Sequence, residues 1–247
     1  MGRRYKNPPV VEALCEFEFI PDREWDMTIP GLVYEKVRKE FPEKTQDMGI
    51  GIQLKPSEKG IEQIIEPTPP RLKFIKTDKT ALIQIAPHIF VINQLKPYPN
   101  WEIFKKMILD NFNVYKEIAN PKGLKRIGLR YINNFKFSNS IELSDYFRYY
   151  PLIPEGLPKT YSTFLTRVEF PYEEGNENLI LSFATVIPEK KEALSLVLDI
   201  DYAMITPEYI SFDKLPIWLD KAHERIEHAF EESITQKLRE TFEEELV

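Results

Sequence analysis

The sequence predicts an α+β fold: curled antiparallel sheets packed with helices, the last helix long. Three observations predict it. Apolar and polar residues alternate over several stretches, the period of a half-buried strand. Other stretches carry apolar residues at spacings of three and four, the period of an amphipathic helix. Sixteen Phe and twelve Tyr add residue types that favour strands.

Taken in order, Val11, Ala13, Cys15, Phe17 and Phe19 alternate with Glu12, Leu14, Glu16 and Glu18, a strand that Pro21 and Asp22 end. Pro30-Gly31 opens a short helix with Val33, Val37 and Phe41 on one face, and Pro42 stops it. Residues 60–94 read as three or four strands. The first covers 61–66 and is closed by Pro67-Thr68-Pro69-Pro70; the others cover 71–76, 80–86 and 88–93. Pro87 marks a break, because proline donates nothing to a ladder. Asn100 is a natural N-cap for a helix with Trp101, Phe104, Ile108, Phe112, Tyr115 and Ala119 in one stripe, terminated at Asn120-Pro121-Lys122-Gly123.

Residues 125–137 predict a long strand, with Arg126, Gly128, Arg130, Ile132 and Asn134 on one face. A short helix over 144–150 and a Pro-rich loop through Pro158 follow. Three more strands come next, over 160–170, 178–185 and 194–202, with turns at 173–176 and 188–191. Ser211 and Asp213 offer caps to a long final helix with Pro216 in its first turn. Its apolar stripe runs from Leu215 through Leu219, Ala222, Ile226 and Phe230 to Ile234. The order predicts two similar strand-helix-strands-helix halves, about 1–120 and 121–247, each with its own curled sheet. With no linker between them, 1–247 is expected to be a single globular unit.

Composition excludes several classes. The net charge is −6, which disfavours nucleic acid as a partner, since that needs a basic footprint. One cysteine, Cys15, allows neither an intramolecular disulfide nor a cysteine-cluster metal site. No apolar run approaches the ~20 residues of a spanning helix, and the first residues carry no signal-peptide pattern. A cytoplasmic chain without membrane contact is expected. Nine glycines and no Gly-rich phosphate loop, nucleophile elbow or kinase signature predict no cofactor.

Three stretches carry a resemblance: Pro8-Pro9-Val10-Val11-Glu12-Ala13-Leu14-Cys15-Glu16-Phe17, then Gly128-Leu129-Arg130-Tyr131-Ile132-Asn133-Asn134, then Trp218 with Ala222-His223-Glu224, Phe230 and Ile234-Thr235. In that order they resemble an uncharacterised prokaryotic family known as "sporadically distributed" proteins. The resemblance covers nearly the whole chain and implies no catalytic role for any residue. Scattered occurrence associates such a family with defence or mobile elements.

Three constellations are candidates for chemistry. Glu12 and Glu16 lie four apart on one strand, and Arg126 and Arg130 four apart on another. Side by side, these strands would form a cross-strand ion-pair ladder or, with Asn134, a site for a polar ligand. Asp199 and Asp201 share one strand face, the spacing of a weak metal site that His223 or Glu224 would have to complete. Lys122, Lys125, Arg126 and Arg130 with Tyr131 form a basic-aromatic patch of the kind that stacks single-stranded RNA. The leading expectation is a non-enzymatic binding or interaction protein, its concave sheet face taking a small polar ligand or a protein partner. The alternatives are a metal-dependent nuclease or hydrolase using Asp199 and Asp201, and RNA binding through Lys125, Arg126 and Arg130. Nothing in the pattern fixes an oligomeric state.

Overall fold

The computed structural model describes residues 3–57, 60–158, 162–186 and 194–244, with backbone alone for 48–57 and 60–69. Its strands are β1 (Val10–Phe19), β2 (Glu43–Ser57), β3 (Gly60–Ile75), β4 (Ala81–Ala86), β5 (Ile89–Leu95), β6 (Leu124–Phe137), β7 (Leu165–Tyr172), β8 (Glu177–Val186) and β9 (Leu194–Met204). Its helices are α1 (Ile29–Val37), α2 (Trp101–Ala119), α3 (Leu143–Tyr146), α4 (Leu215–Ser233) and α5 (Gln236–Arg239).

β1 forms as its alternation dictates. Ala13, Cys15, Phe17 and Phe19 are buried, while Glu12, Leu14, Glu16 and Glu18 are half-buried on the other face. It pairs antiparallel with β5 on one side and β6 on the other. The described strands form one antiparallel sheet in the order β2-β3-β4-β5-β1-β6-β9-β8-β7. The α+β class therefore stands, but a separate sheet for each half does not. β1 and β6 pair in continuous register from Glu12↔Ile132 to Glu18↔Arg126, which fuses the two sets of strands.

The helices gather on the face that carries Phe17. α1 meets it through Tyr34 against Phe74, α2 through Phe112 stacked on Phe17 at 4.7 Å, and α4 through Trp218 against Tyr202. Beside α3, Phe147 packs on Phe183 at 4.6 Å and on Phe135 at 5.1 Å. α2 begins where expected: Asn100 Oδ1 accepts the Ile103 N–H at 2.9 Å, a cap worth about 1 kcal/mol. It ends at Asn120, whose φ of 41° is left-handed. α4 starts at Leu215 with Pro216 in its first turn, though neither Ser211 nor Asp213 is its cap; Lys214 holds that position. Among the described residues no helix is long and apolar enough to cross a membrane.

Two strands depart from the sequence pattern. β2 is an edge strand, and its first residues, Glu43 to Asp47, are polar and exposed throughout. Polar edges of this kind discourage further pairing. β3 runs unbroken through the proline run that reads as a terminator. The β2–β3 register shifts there, between Asp47↔Arg71 and Gly49↔Thr68, and Pro69 and Pro70 fall in the shift, where no ladder N–H is needed.

Candidate ligand cavity on the open sheet face

The face opposite the helices carries charge at its centre. Arg126 and Arg130 flank Gly128 on β6. The guanidinium of Arg126 runs forward along its own strand, over Gly128, donating to Asp201 on β9 at 2.9 Å and to Glu16 on β1 at 3.3 Å. Glycine leaves room for it there: a Cβ at position 128 would stand 2.8 Å from Arg126 Nη1, and the arginine would have to shift. Arg130 stands opposite Asp201 in register but bonds diagonally, Nε donating to Asp199 Oδ1 at 2.7 Å and Nη2 to Oδ2. This is the bidentate fork that favours arginine over lysine. Arg71 of β3 approaches Glu16 at 3.5 Å.

Arg71, Arg126, Arg130, Glu16 and Asp201 line a concavity, open to solvent, of about 300 Å³. Gly128, Leu14 and Val91 supply its apolar lining, with Arg71, Arg126 and Arg130 among its polar groups. Three guanidiniums stand against three carboxylates, Glu16, Asp199 and Asp201. Burial pushes the Asp201 carboxyl above its usual range, and the guanidiniums of Arg126 and Arg130 pull it back. The hydrogen bond to Asp199 raises the already high pKa of Arg130. Toward β4 the polar surface continues: Gln84 donates to Asn93 Oδ1 at 2.8 Å, and Asn93 Nδ2 donates to Glu12 at 2.6 Å.

The two expected strands are thus neighbours, with Leu14 opposite Arg130, and one contact of the expected ladder forms while the other acid and arginine take different partners. Glu16 reaches Arg126, Glu12 is held by Asn93, and Arg130 turns to Asp199. The reason is that β9 flanks β6 on its other side and offers carboxylates at bidentate reach. Asn134 accepts from Ser195 Oγ at 3.1 Å, away from the arginines.

Asp199 and Asp201 are arginine partners in this arrangement. His223 cannot join them, because the sheet lies between. It sits on the helix side, stacked on Trp101 with ring centroids 4.3 Å apart, its Nδ1 3.4 Å from the Tyr131 hydroxyl. Burial lowers its pKa to about 4. Among the described residues no three His, Cys, Asp or Glu side chains form a group able to hold a metal. The basic-aromatic patch also divides. Tyr131 is buried on the helix face, its hydroxyl 2.7 Å from that of Tyr98, while Lys125 pairs with Glu18 at 3.2 Å on the open face. No surface offers Tyr131 together with the cations.

Sequence reasoning missed Arg71, Gln84 and Asn93. The last two were visible as polar interruptions of apolar strands; Arg71 carried no signal, since it arrives from β3 through pairing alone. A buried acid on the other face was missed as well. Glu177 is fully buried and accepts from Tyr202, from Trp218 Nε1 at 2.9 Å and from Lys221 at 2.8 Å. It lies at the end of a predicted turn, where an acidic residue reads as solvated. No protein-family model matches this chain, and no curated protein matches it.

Proposed function

We propose that this protein binds a small polar ligand in the cavity over Gly128, with Arg126 and Arg130 as its principal contacts. The observation that carries this reading is the cavity itself: about 300 Å³, at the lower end of the range for small-molecule sites. Its convergent charges lie on the face the helices leave open. Both signs of charge are present, so the fitting ligand is one with acidic groups and hydrogen-bond donors together, such as an amino acid or a nucleotide. Arginine forks would take its carboxylate or phosphate, and Glu16 or Asp201 its donors. The engagement of Asp199 and Asp201 by arginines supports binding over metal-dependent hydrolysis. The burial of Tyr131 on the helix face, away from the arginines, weighs against RNA.

The reading includes an internal duplication. From β1 the pairing runs outward through β5, β4, β3 and β2, and from β6 outward through β9, β8 and β7, a shared pattern that puts the cavity at the seam. It also keeps the resemblance to the "sporadically distributed" family, which adds no chemistry, and a cytoplasmic location. Thermal melting against a panel of amino acids, dicarboxylates and nucleoside monophosphates tests it. At least one class should raise Tm for the native protein and leave Arg130→Met unmoved. A panel without effect, or a shift that survives Arg130→Met, overturns the reading.

A further inference from the structure

We propose that β7 is a self-recognition edge, through which two copies of this chain pair antiparallel about a two-fold axis at Val168. β7 ends the sheet, so among the described residues one side of its backbone has no partner strand. The orientation of that side follows from the β7–β8 ladder. Thr185 N–H donates to Phe164 O at 3.1 Å, and these residues stand opposite each other when the β7–β8 register, in which Leu165 faces Ala184, is extended by one step. Directly opposed residues that share such a bond form the hydrogen-bonded pairs of an antiparallel ladder, and these alternate along the strand. Thr166, Val168 and Phe170 therefore turn their backbone groups toward β8. Leu165, Arg167 and Glu169 turn theirs outward.

The outward edge is self-complementary in one register. With the axis at Val168, Arg167 stands opposite the second copy's Glu169, and each exchanges N–H and C=O with the other, twice over by symmetry. Leu165 N–H reaches the second copy's Pro171 carbonyl. Moving the axis one residue either way sets Arg167 against Arg167 or Glu169 against Glu169, and like charges directly opposed are destabilising. Pro171 fits the same scheme, since its missing N–H lies on the outward side and the β7–β8 ladder loses nothing.

The side chains add a second, apolar argument. Val168 and Phe170 stand opposite Leu181 and Leu179 in β8, which are buried on the helix face. Yet Val168 and Phe170 are 40% and 42% exposed. The core face outruns its cover at this edge. In the dimer Val168 meets the second copy's Val168, and Phe170 meets its Thr166. On the open face Arg167 already holds Glu169 of its own strand at 2.7 Å. Pairing makes these a closed ring of four alternating charges. Two strands, β9 and β8, separate β7 from β6, so dimerisation and ligand binding stand or fall independently.

Sedimentation velocity of the full chain across a concentration series tests the edge. The native protein should approach twice its 29.1 kDa as concentration rises. Glu169→Pro removes one outward N–H and spares the β8 ladder, so it should yield a folded monomer. Glu169→Arg and Arg167→Glu should each weaken dimerisation at least about tenfold, roughly 1.4 kcal/mol, and the double exchange should restore it. A native protein that stays monomeric throughout, or a dimer untouched by Glu169→Pro and Glu169→Arg, overturns the proposal.

Discussion

Phe17 and Glu16 are neighbours in β1, yet they belong to different environments. Phe17 is sealed against Phe112 and Phe90 under α2. Glu16 turns the other way, toward Arg71 and Arg126 at the rim of a cavity. The same contrast runs across the sheet: Tyr131 and Arg130 on β6, Ile200 and Asp199 on β9. A strand alternates faces by geometry, so one run of residues serves both a packed core and a charged, concave surface. Stability resides on one side, and groups able to recognise a ligand are left on the other.

Breaking the comparison gives effects of graded size. Phe17→Ala removes a buried ring and should cost about 3–5 kcal/mol in denaturant unfolding, whereas Glu16→Gln should cost about 1 kcal/mol. Equal losses would erase the distinction. Glu177 is the helix face's own test, being a carboxylate held by three donors. Glu177→Ala strands Lys221 and Trp218 and should also cost about 3 kcal/mol or more.

Acid separates the faces by sign. His223 titrates at about 4 in the folded protein against an ordinary 6.5, because burial disfavours its charged form. Between those values the unfolded chain binds a proton that the folded chain refuses. Its contribution is therefore full above pH 6.5 and lost as pH falls toward 4, by about 3 kcal/mol at ~1.4 per unit. Asp201 works oppositely. Its raised pKa means the folded chain takes up that proton first, so its ionisation costs stability above its folded pKa, and acidification relieves the cost. Unfolding free energy of the native protein and His223→Gln, followed from pH 7 to pH 4, should converge toward acid. Parallel curves would remove His223 from the account.

Smaller effects sharpen the open face. A double-mutant cycle of Arg126→Met with Asp201→Asn should show coupling of about 1 kcal/mol, while Arg130→Met with Glu16→Gln should be additive within ~0.5 kcal/mol. The reverse ranking would put the arginines on the wrong carboxylates. Gly128→Ala should change stability least, since the clashing atoms are the far end of a flexible side chain, yet it should displace Arg126 and weaken ligand binding more than folding.

Most of the helix face was legible in the sequence, and little of the open face was. Phe104, Ile108, Phe112 and Tyr115 announce α2 because burial imposes a period on the chain. Glu16, Arg126 and Arg130 were also found, because strand alternation places them opposite the apolar stripe. The contact of Glu16 with Arg126 belongs to the expected ladder, but the partner of Arg130 was not found. Whether Arg130 meets Glu16 or Asp199 depends on β9 pairing with β6, a contact between residues about seventy apart that leaves no local trace. Polar side chains tolerate many neighbours, so their pattern constrains pairing less than a methyl packed in a core. For the same reason the buried Glu177, directly after a predicted turn, read as a solvated acid.

The separation of duties between the two faces is tested most directly by backbone amide NMR of the protein with the ligand class that most raises its Tm. The account predicts shift changes centred on Glu16, Gly128, Arg130 and Asp201, with α2 and α4 unmoved. Changes confined to the helices, or none at all, would contradict it.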